Sequence, residues 1–191
     1  MDFEFSARSL ELQKQLRDFI ETRVAPAEPV YRRQVEESGD PHFHPPVMED
    51  LKADARSRGL WNLFLPNEKW GAGLSNLDYA PLCELMGRNL LTAEATNCAA
   101  PDTGNMEILV EFGTSEQQEQ WLLPLLKGEI RSCFAMTEPW VASSDATNIQ
   151  SRIERDGDHY VVNAHKWWTS GAASKRCKVA VLLGVSNPDA D

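Results

Sequence analysis

The chain holds no cysteine pair at C-x-x-C spacing, no Walker loop, no G-x-S-x-G elbow and no apolar run of membrane-spanning length. Its four cysteines, Cys83, Cys98, Cys133 and Cys177, are scattered. They read as reduced, mostly buried thiols of a cytosolic-type protein, not as a disulfide framework or a zinc site. Positive charge is also short: 19 Lys and Arg stand against 29 Asp and Glu, a net charge of -10. That excludes the basic face of a nucleic-acid binder and adsorption to an anionic membrane surface. Gly71-x-Gly73 continues as Leu74-Ser75-Asn76, so the third glycine of a dinucleotide fingerprint is missing, as is its strand–turn–helix frame. His42 and His44 lie in a proline-flanked loop with no ligand cluster at metal spacing, and read as packed or exposed loop residues. Repeats and low-complexity tracts are absent. The start, Met1-Asp2-Phe3-Glu4-Phe5, is acidic, unlike a transit peptide or a secretory signal. A cytoplasmic location is expected, with mitochondrion or peroxisome left open for a eukaryotic source.

What is present is ordinary for a globular protein: 191 residues, 42% hydrophobic and 25% charged, enough to bury a core. The first two-thirds reads as helices. Leu12, Leu16, Phe19, Ile20 and Val24 recur at helical spacing, predicting an amphipathic helix over residues 6–23 that Pro26 interrupts. A short helix over residues 29–38, stopped by Gly39, a proline-led helix ending at Gly59, and a helix over residues 76–86 follow. Residues 60–66 look apolar and extended, and Gly71-Ala72-Gly73 looks like a flexible loop. Asp102 is placed to cap a helix ending at Gly113, and Thr114 with Gln117 forms a capping box. Pro124 should kink the next helix. After Gly128 the period changes: residues 130–136, 148–155, 159–163 and 178–185 read as strands, with a tight turn at Asp156-Gly157. The expectation is an α+β chain, with a helical domain over 1–130 and a β-domain over 131–191 whose few strands leave open edges.

Two segments could carry chemistry. In Phe134-Ala135-Met136-Thr137-Glu138-Pro139-Trp140-Val141-Ala142-Ser143-Ser144-Asp145 an apolar strand enters a turn rich in hydroxyls and backbone N–H groups. Such a turn can hydrogen-bond a polar ring edge or a phosphate. In Lys166-Trp167-Trp168-Thr169-Ser170-Gly171, two indoles on a strand would face opposite ways, one into the core and one toward a site. On chemistry alone, a strand-end loop that caps its own backbone and two structural tryptophans are equally available readings.

Together, and at this spacing, the two segments resemble the acyl-CoA dehydrogenase family. Met136-Thr137-Glu138-Pro139 with Ser144-Asp145 looks like its M/V-T-E-P…S-D signature. Asn163 through Ser170 looks like its N-G-x-K-x-W-I-T segment. Gly113-Thr114-Ser115-Glu116-Gln117 through Gly128-Glu129, and Gly59-Leu60-Trp61 through Gly73-Leu74-Ser75, are similar to two upstream family segments. Pro101 to Glu107 and Val141 to Asn148 look closest to the branch with the vertebrate members 10 and 11.

The resemblance implies a helical amino-terminal domain, a middle antiparallel β-barrel that is incomplete here, and a carboxy-terminal helical domain absent from these residues. It also implies an FAD flavoprotein, an oxidoreductase of fatty acid metabolism and β-oxidation that desaturates acyl-CoA thioesters at the α,β position. Carried over, Thr137 bonds the pyrimidine edge of the flavin while Phe134, Ala135 and Met136 line the ring. Ser143 and Ser144 lie in the turn, with Ser144 where FAD meets the thioester arm of the substrate. Trp168 packs on the isoalloxazine, and Thr169 and Ser170 bring hydroxyls toward flavin N5. An electron-transfer flavoprotein and a homo-oligomer are the implied partners, with no nucleic acid and no membrane insertion. No catalytic residue and no metal ligand is assigned: the family base lies in the carboxy-terminal domain, so the chain alone is expected to lack turnover. The alternatives are an inactive chain that only binds a partner, or a flavin-dependent monooxygenase of the same fold. Trp140 departs from the family, which usually carries Gly or Asp there, and is expected to weaken FAD retention.

Overall fold

A computed structural model describes residues 4–187. The chain divides into two compact units, Met1–Gly128 and Glu129–Asp191.

The first unit is helical. Ser6 caps α1 (Ala7–Phe19), its hydroxyl accepting the Ser9 N–H, and Ser9, Gln13, Leu16 and Phe19 form the buried stripe. Helix does not stop at Pro26. A π-helical turn over Ile20–Val24 leads directly into α2 (Ala25–Ser38), which contains Pro26 and Pro29. A proline in a helix clashes with the carbonyl four residues back. For Pro26 that carbonyl belongs to Thr22, inside the widened turn, where the Ala25 N–H reaches back to the Ile20 carbonyl. The same arrangement recurs before Pro124. After α3 (Pro46–Ser57), α4 (Asn76–Met86), α5 (Thr92–Ala95), α6 (Asp102–Phe112) and α7 (Ser115–Gln117), a π turn over Gln118–Leu122 leads into α8 (Leu123–Leu126). The capping box at Thr114 is present, whereas Asp102 lies inside α6 and Pro101 holds the cap position.

Residues 60–66 are bends, turns and irregular chain, mostly buried, and not an extended segment. Asn62 takes a left-handed conformation (φ 53°), which breaks any strand there. Its amide and that of Asn97 satisfy the carbonyls that end α8: Asn62 Nδ2 donates to Leu126 O at 3.0 Å, and Asn97 Nδ2 to Leu125 O at 3.0 Å. The Gly71–Gly73 loop is packed rather than loose, since a Cβ on Gly71 would lie 2.5 Å from Leu65 Cβ and 2.6 Å from its carbonyl oxygen. His44 is a half-buried loop residue, as a packed loop position would be. Its Nε2 lies 2.6 Å from Glu49 Oε1, and the buried Lys52 ammonium lies 3.1 Å from the same oxygen and 3.4 Å from Glu94 Oε1. Cys98 and Cys133 are buried, Cys177 is partly so and Cys83 is exposed. Among the described residues no helix is long and apolar enough to cross a membrane.

Among its described residues the second unit contains two two-stranded sheets. β2 (Arg152–Asp156) and β3 (His159–Asn163) form an antiparallel hairpin, with Gly157 left-handed in its turn. β1 (Arg131–Ala135) pairs in parallel with β4 (Cys177–Leu182), in the register Phe134 to Val181 and Ala135 to Leu182. Among the described residues the strands do not close into a barrel. Parallel neighbours need a crossover connection. Here it is residues 136–176, which carry the hairpin, the second candidate segment and all of the first beyond Ala135.

Candidate functional site

β1 delivers Phe134 and Ala135 at its end, and Met136 and Thr137 follow as the chain leaves the sheet. The turn beyond is braced from within. The Glu138 N–H donates to Ser143 Oγ at 2.7 Å, and that hydroxyl lies 3.2 Å from the Val141 carbonyl. Ser143 is buried, so its hydroxyl is committed to the turn and not directed outward. Asp145 caps the short 3-10 turn Ala146–Asn148 through the Thr147 N–H at 3.0 Å.

The second segment lies beside the first. Trp167 N–H donates to the Thr137 carbonyl at 3.0 Å, and Lys166 Nζ donates to the Met136 carbonyl at 2.8 Å. It is not a strand, and the two indoles do not divide between core and site. Trp168 has φ 54°, and this left-handed residue breaks the alternation that a strand would impose. Trp167 and Trp168 are both exposed, Trp168 by 78%, and their rings stand 5.6 Å apart with a 56° tilt. A bulky residue rarely adopts this left-handed conformation, and here it is held in solvent against the Trp167 ring. Thr137 and Thr169 are half-buried, while Ser144 and Ser170 are exposed. Among the described residues the hydroxyls of Thr137, Ser144 and Ser170 have no hydrogen-bond partner. Trp140 does not fold inward. It is 78% exposed and meets His165 edge-on at 6.2 Å.

Beneath the surface lies a pair to which the sequence reading gave no role in the site. The Glu138 carboxylate, 6% exposed, and the Lys166 ammonium, 8% exposed, are 2.8 Å apart. Glu138 Oε1 also accepts the Ser151 N–H at 2.9 Å and the Ser151 hydroxyl at 2.5 Å, and Oε2 accepts the Gln150 N–H at 2.8 Å. Burial alone would push this carboxyl up. The donors outweigh burial, Lys166 first and then Ser151 and Gln150, and hold it at about 2. A carboxylate so low and so fully engaged cannot accept a proton at neutral pH, which removes Glu138 as a general base. The available sequence signal was that Glu138 and Lys166 each stand in one of the two motif segments with opposite charge. A cleft of about 520 Å³ in the helical unit, lined by Leu65, Pro66, Glu107, Ile108, Glu111 and Phe112 among others, contains none of these residues.

Comparison with known proteins gives a consistent result. The family model described as acyl-CoA dehydrogenase, N-terminal domain, matches residues 6–129, and that of the middle domain matches residues 133–190. Acyl-CoA dehydrogenase family member 10 of Mus musculus is 55% identical over 185 residues, covering 94% of this chain and 17% of that protein. A solved Mycobacterium abscessus chain described as an acyl-CoA dehydrogenase superposes with a TM-score of 0.90 at 46% identity, covering 98% of this chain and 48% of that one. An acyl-CoA dehydrogenase of Bacillus anthracis, solved in complex with FAD, superposes with a TM-score of 0.63 at 25% identity, covering 94% of this chain and 29% of that one. The chain therefore spans less than half the length of each.

Proposed function

This chain belongs to the acyl-CoA dehydrogenase family, in the branch of members 10 and 11, and from that premise we propose that it supplies one side of an FAD site in an enzyme that desaturates acyl-CoA thioesters between the α and β carbons. The observation that carries this reading is the docking of the two segments. Trp167 N–H on the Thr137 carbonyl sets the partnerless Thr137 hydroxyl and the exposed, left-handed Trp168 on neighbouring stretches of chain. An aromatic face and unpaired hydroxyls are what a flat ring with polar edges requires, so the residues present fit the cofactor.

In this reading Thr137 donates to the pyrimidine edge of the flavin, and Phe134, Ala135 and Met136 line the ring. Trp168 covers an isoalloxazine face and excludes water, and Thr169 and Ser170 offer hydroxyls near N5. Ser144 holds the junction with the thioester arm, and Ser143 braces the turn from inside. Bound FAD would supply a hydride acceptor for the β-hydrogen, and the residues named here would orient it. Removal of the α-proton needs a carboxylate of ordinary or raised pKa. Glu138 fails that condition, and no residue of this chain is assigned the role. Reoxidation by an electron-transfer flavoprotein, homo-oligomeric assembly and a place in β-oxidation belong to the same proposal, as does a division into a domain over residues 1–130 and another over 131–191.

The test is anaerobic titration of the chain with FAD, followed by flavin fluorescence and then by addition of saturated acyl-CoA thioesters. Saturable quenching, lost in Trp168→Ala, together with a flavin spectrum perturbed by the thioester, is expected. No FAD binding would overturn the reading. Enoyl-CoA formation by a longer protein containing this sequence supports desaturation. Oxygen consumption with reduced flavin and no enoyl-CoA would favour a monooxygenase.

A further inference from the structure

Lys166 and Glu138 sit where four stretches of the second unit converge. Lys166 Nζ holds the Met136 carbonyl at 2.8 Å and Glu138 Oε1 at 2.8 Å. Glu138 in turn gathers Gln150 N–H, Ser151 N–H and the Ser151 hydroxyl, and its own N–H bonds Ser143. Thr137 lies between these anchors: the carbonyl before it, its own carbonyl and the N–H after it are all fixed. Trp168 follows Lys166 by two residues, and the Trp167 N–H between them is also fixed.

A buried ion pair is a poor way to gain stability, because desolvation of both charges offsets most of their attraction, and an apolar pair of similar volume does as well or better. What such a pair supplies is direction. An ammonium with three donors reaches a carbonyl and a carboxylate at once, which no apolar side chain can reproduce. We propose that Glu138 and Lys166 are positioning residues that lock the Met136–Ser143 turn to the Lys166–Ser170 segment, setting where the Thr137 hydroxyl and Trp168 indole meet the flavin, a role that presupposes the flavin site described above. The flavin-facing groups would then owe their placement to a network that touches no ligand, as in other sites whose contacting residues are held by a supporting layer.

The experiment compares the 191-residue chain with Lys166→Met, with Glu138→Gln and with the double variant. It measures unfolding of the second unit and FAD affinity on each. Either single change leaves one buried partner unmatched and should lower stability. The double change removes both charges and should recover it. FAD affinity should not recover with it, staying about tenfold to a hundredfold below wild type, the range seen when a ligand-orienting partner is lost. The bound flavin should also lose part of the quenching by Trp168. A double variant with both stability and FAD affinity restored would overturn the positioning role while leaving the flavin site standing. Failure of the unaltered chain to bind FAD would overturn the site itself, and the role with it. Should the double variant not fold, Glu138→Asp decides. It keeps both charges but withdraws the carboxylate by one methylene, so folded protein with wild-type FAD affinity would refute the role.

Discussion

Replacing Glu138 by glutamine should remove most of the acid sensitivity of the second unit. The Glu138 carboxyl is held at about 2 against an ordinary value of 4.5. A depression of that size corresponds to about 3 kcal/mol of folding stability. Because the folded state lowers the pKa, the contribution is complete above pH 4.5 and is lost as pH falls toward 2. At pH 7 the substitution also strands the Lys166 ammonium, 8% exposed, and breaking one side of a buried pair costs about 3–5 kcal/mol. The two figures describe one interaction and agree in size. Indole N–H resonances provide the assay. Trp140, Trp167 and Trp168 report the second unit, while Trp61, Trp70 and Trp121 report the first as an internal control. Urea titrations at pH steps from 7 to 3 should show wild type and variant about 3 kcal/mol apart at pH 7, with the gap narrowed to about 1.4 kcal/mol at pH 3. Asp145, lowered by its bonds from Thr147, titrates equally in both proteins and cancels in the difference. Parallel curves with a constant gap, or a gap below about 0.5 kcal/mol at pH 7, within the range of an ordinary surface change, would refute the assignment of this carboxylate.

Gly71→Ala should destabilise the helical unit by about 1–3 kcal/mol, because the new methyl meets the Leu65 backbone at 2.6 Å. Urea midpoints read from Trp61 and Trp70 check it. Thr114→Ala removes the capping box that joins Thr114 and Gln117 and should cost about 1 kcal/mol in the same unit, measured in the same titration. Trp168→Gly relieves a left-handed residue (φ 54°), while glycine adds entropy to the unfolded chain, so stability should stay within about 1 kcal/mol of wild type. FAD affinity should nevertheless fall, a split that a purely structural tryptophan would not give. Trp140→Asp alters a side chain 78% exposed and should leave stability within about 0.5 kcal/mol. Its flavin content after purification should rise, and equal content in both proteins would dismiss any effect of Trp140 on the site.

The features legible from sequence were those decided within a few residues. Thr114 and Gln117 make their box through bonds three residues apart, and Gly39 ends α2 in the left-handed conformation that its lack of a side chain allows. Asp156-Gly157 turns the hairpin as its chemistry requires. The misreadings arose where an adjusted turn or a distant contact overrode a local rule. Pro26 reads as a break because a proline breaks an ideal α-helix, but a π turn moved the offending carbonyl aside, and local spacing does not encode that adjustment. Residues 60–66 read as extended because they are apolar. Their shape is set instead by Asn62 and Asn97 reaching the carbonyls of Leu125 and Leu126, across 64 and 28 residues. The site divides in the same way. The groups proposed to face the flavin, Thr137, Ser144 and Trp168, lie in short motifs. The contact that supports them could not be read there, because Glu138 and Lys166 stand in separate motifs 28 residues apart. Motifs identify the side chains that meet a ligand, whereas their placement depends on pairs that only the fold brings together. The parallel register of β1 and β4 shows this best. It closes the crossover in which the second segment and most of the first lie, and no feature of either strand alone distinguishes it from an antiparallel pairing.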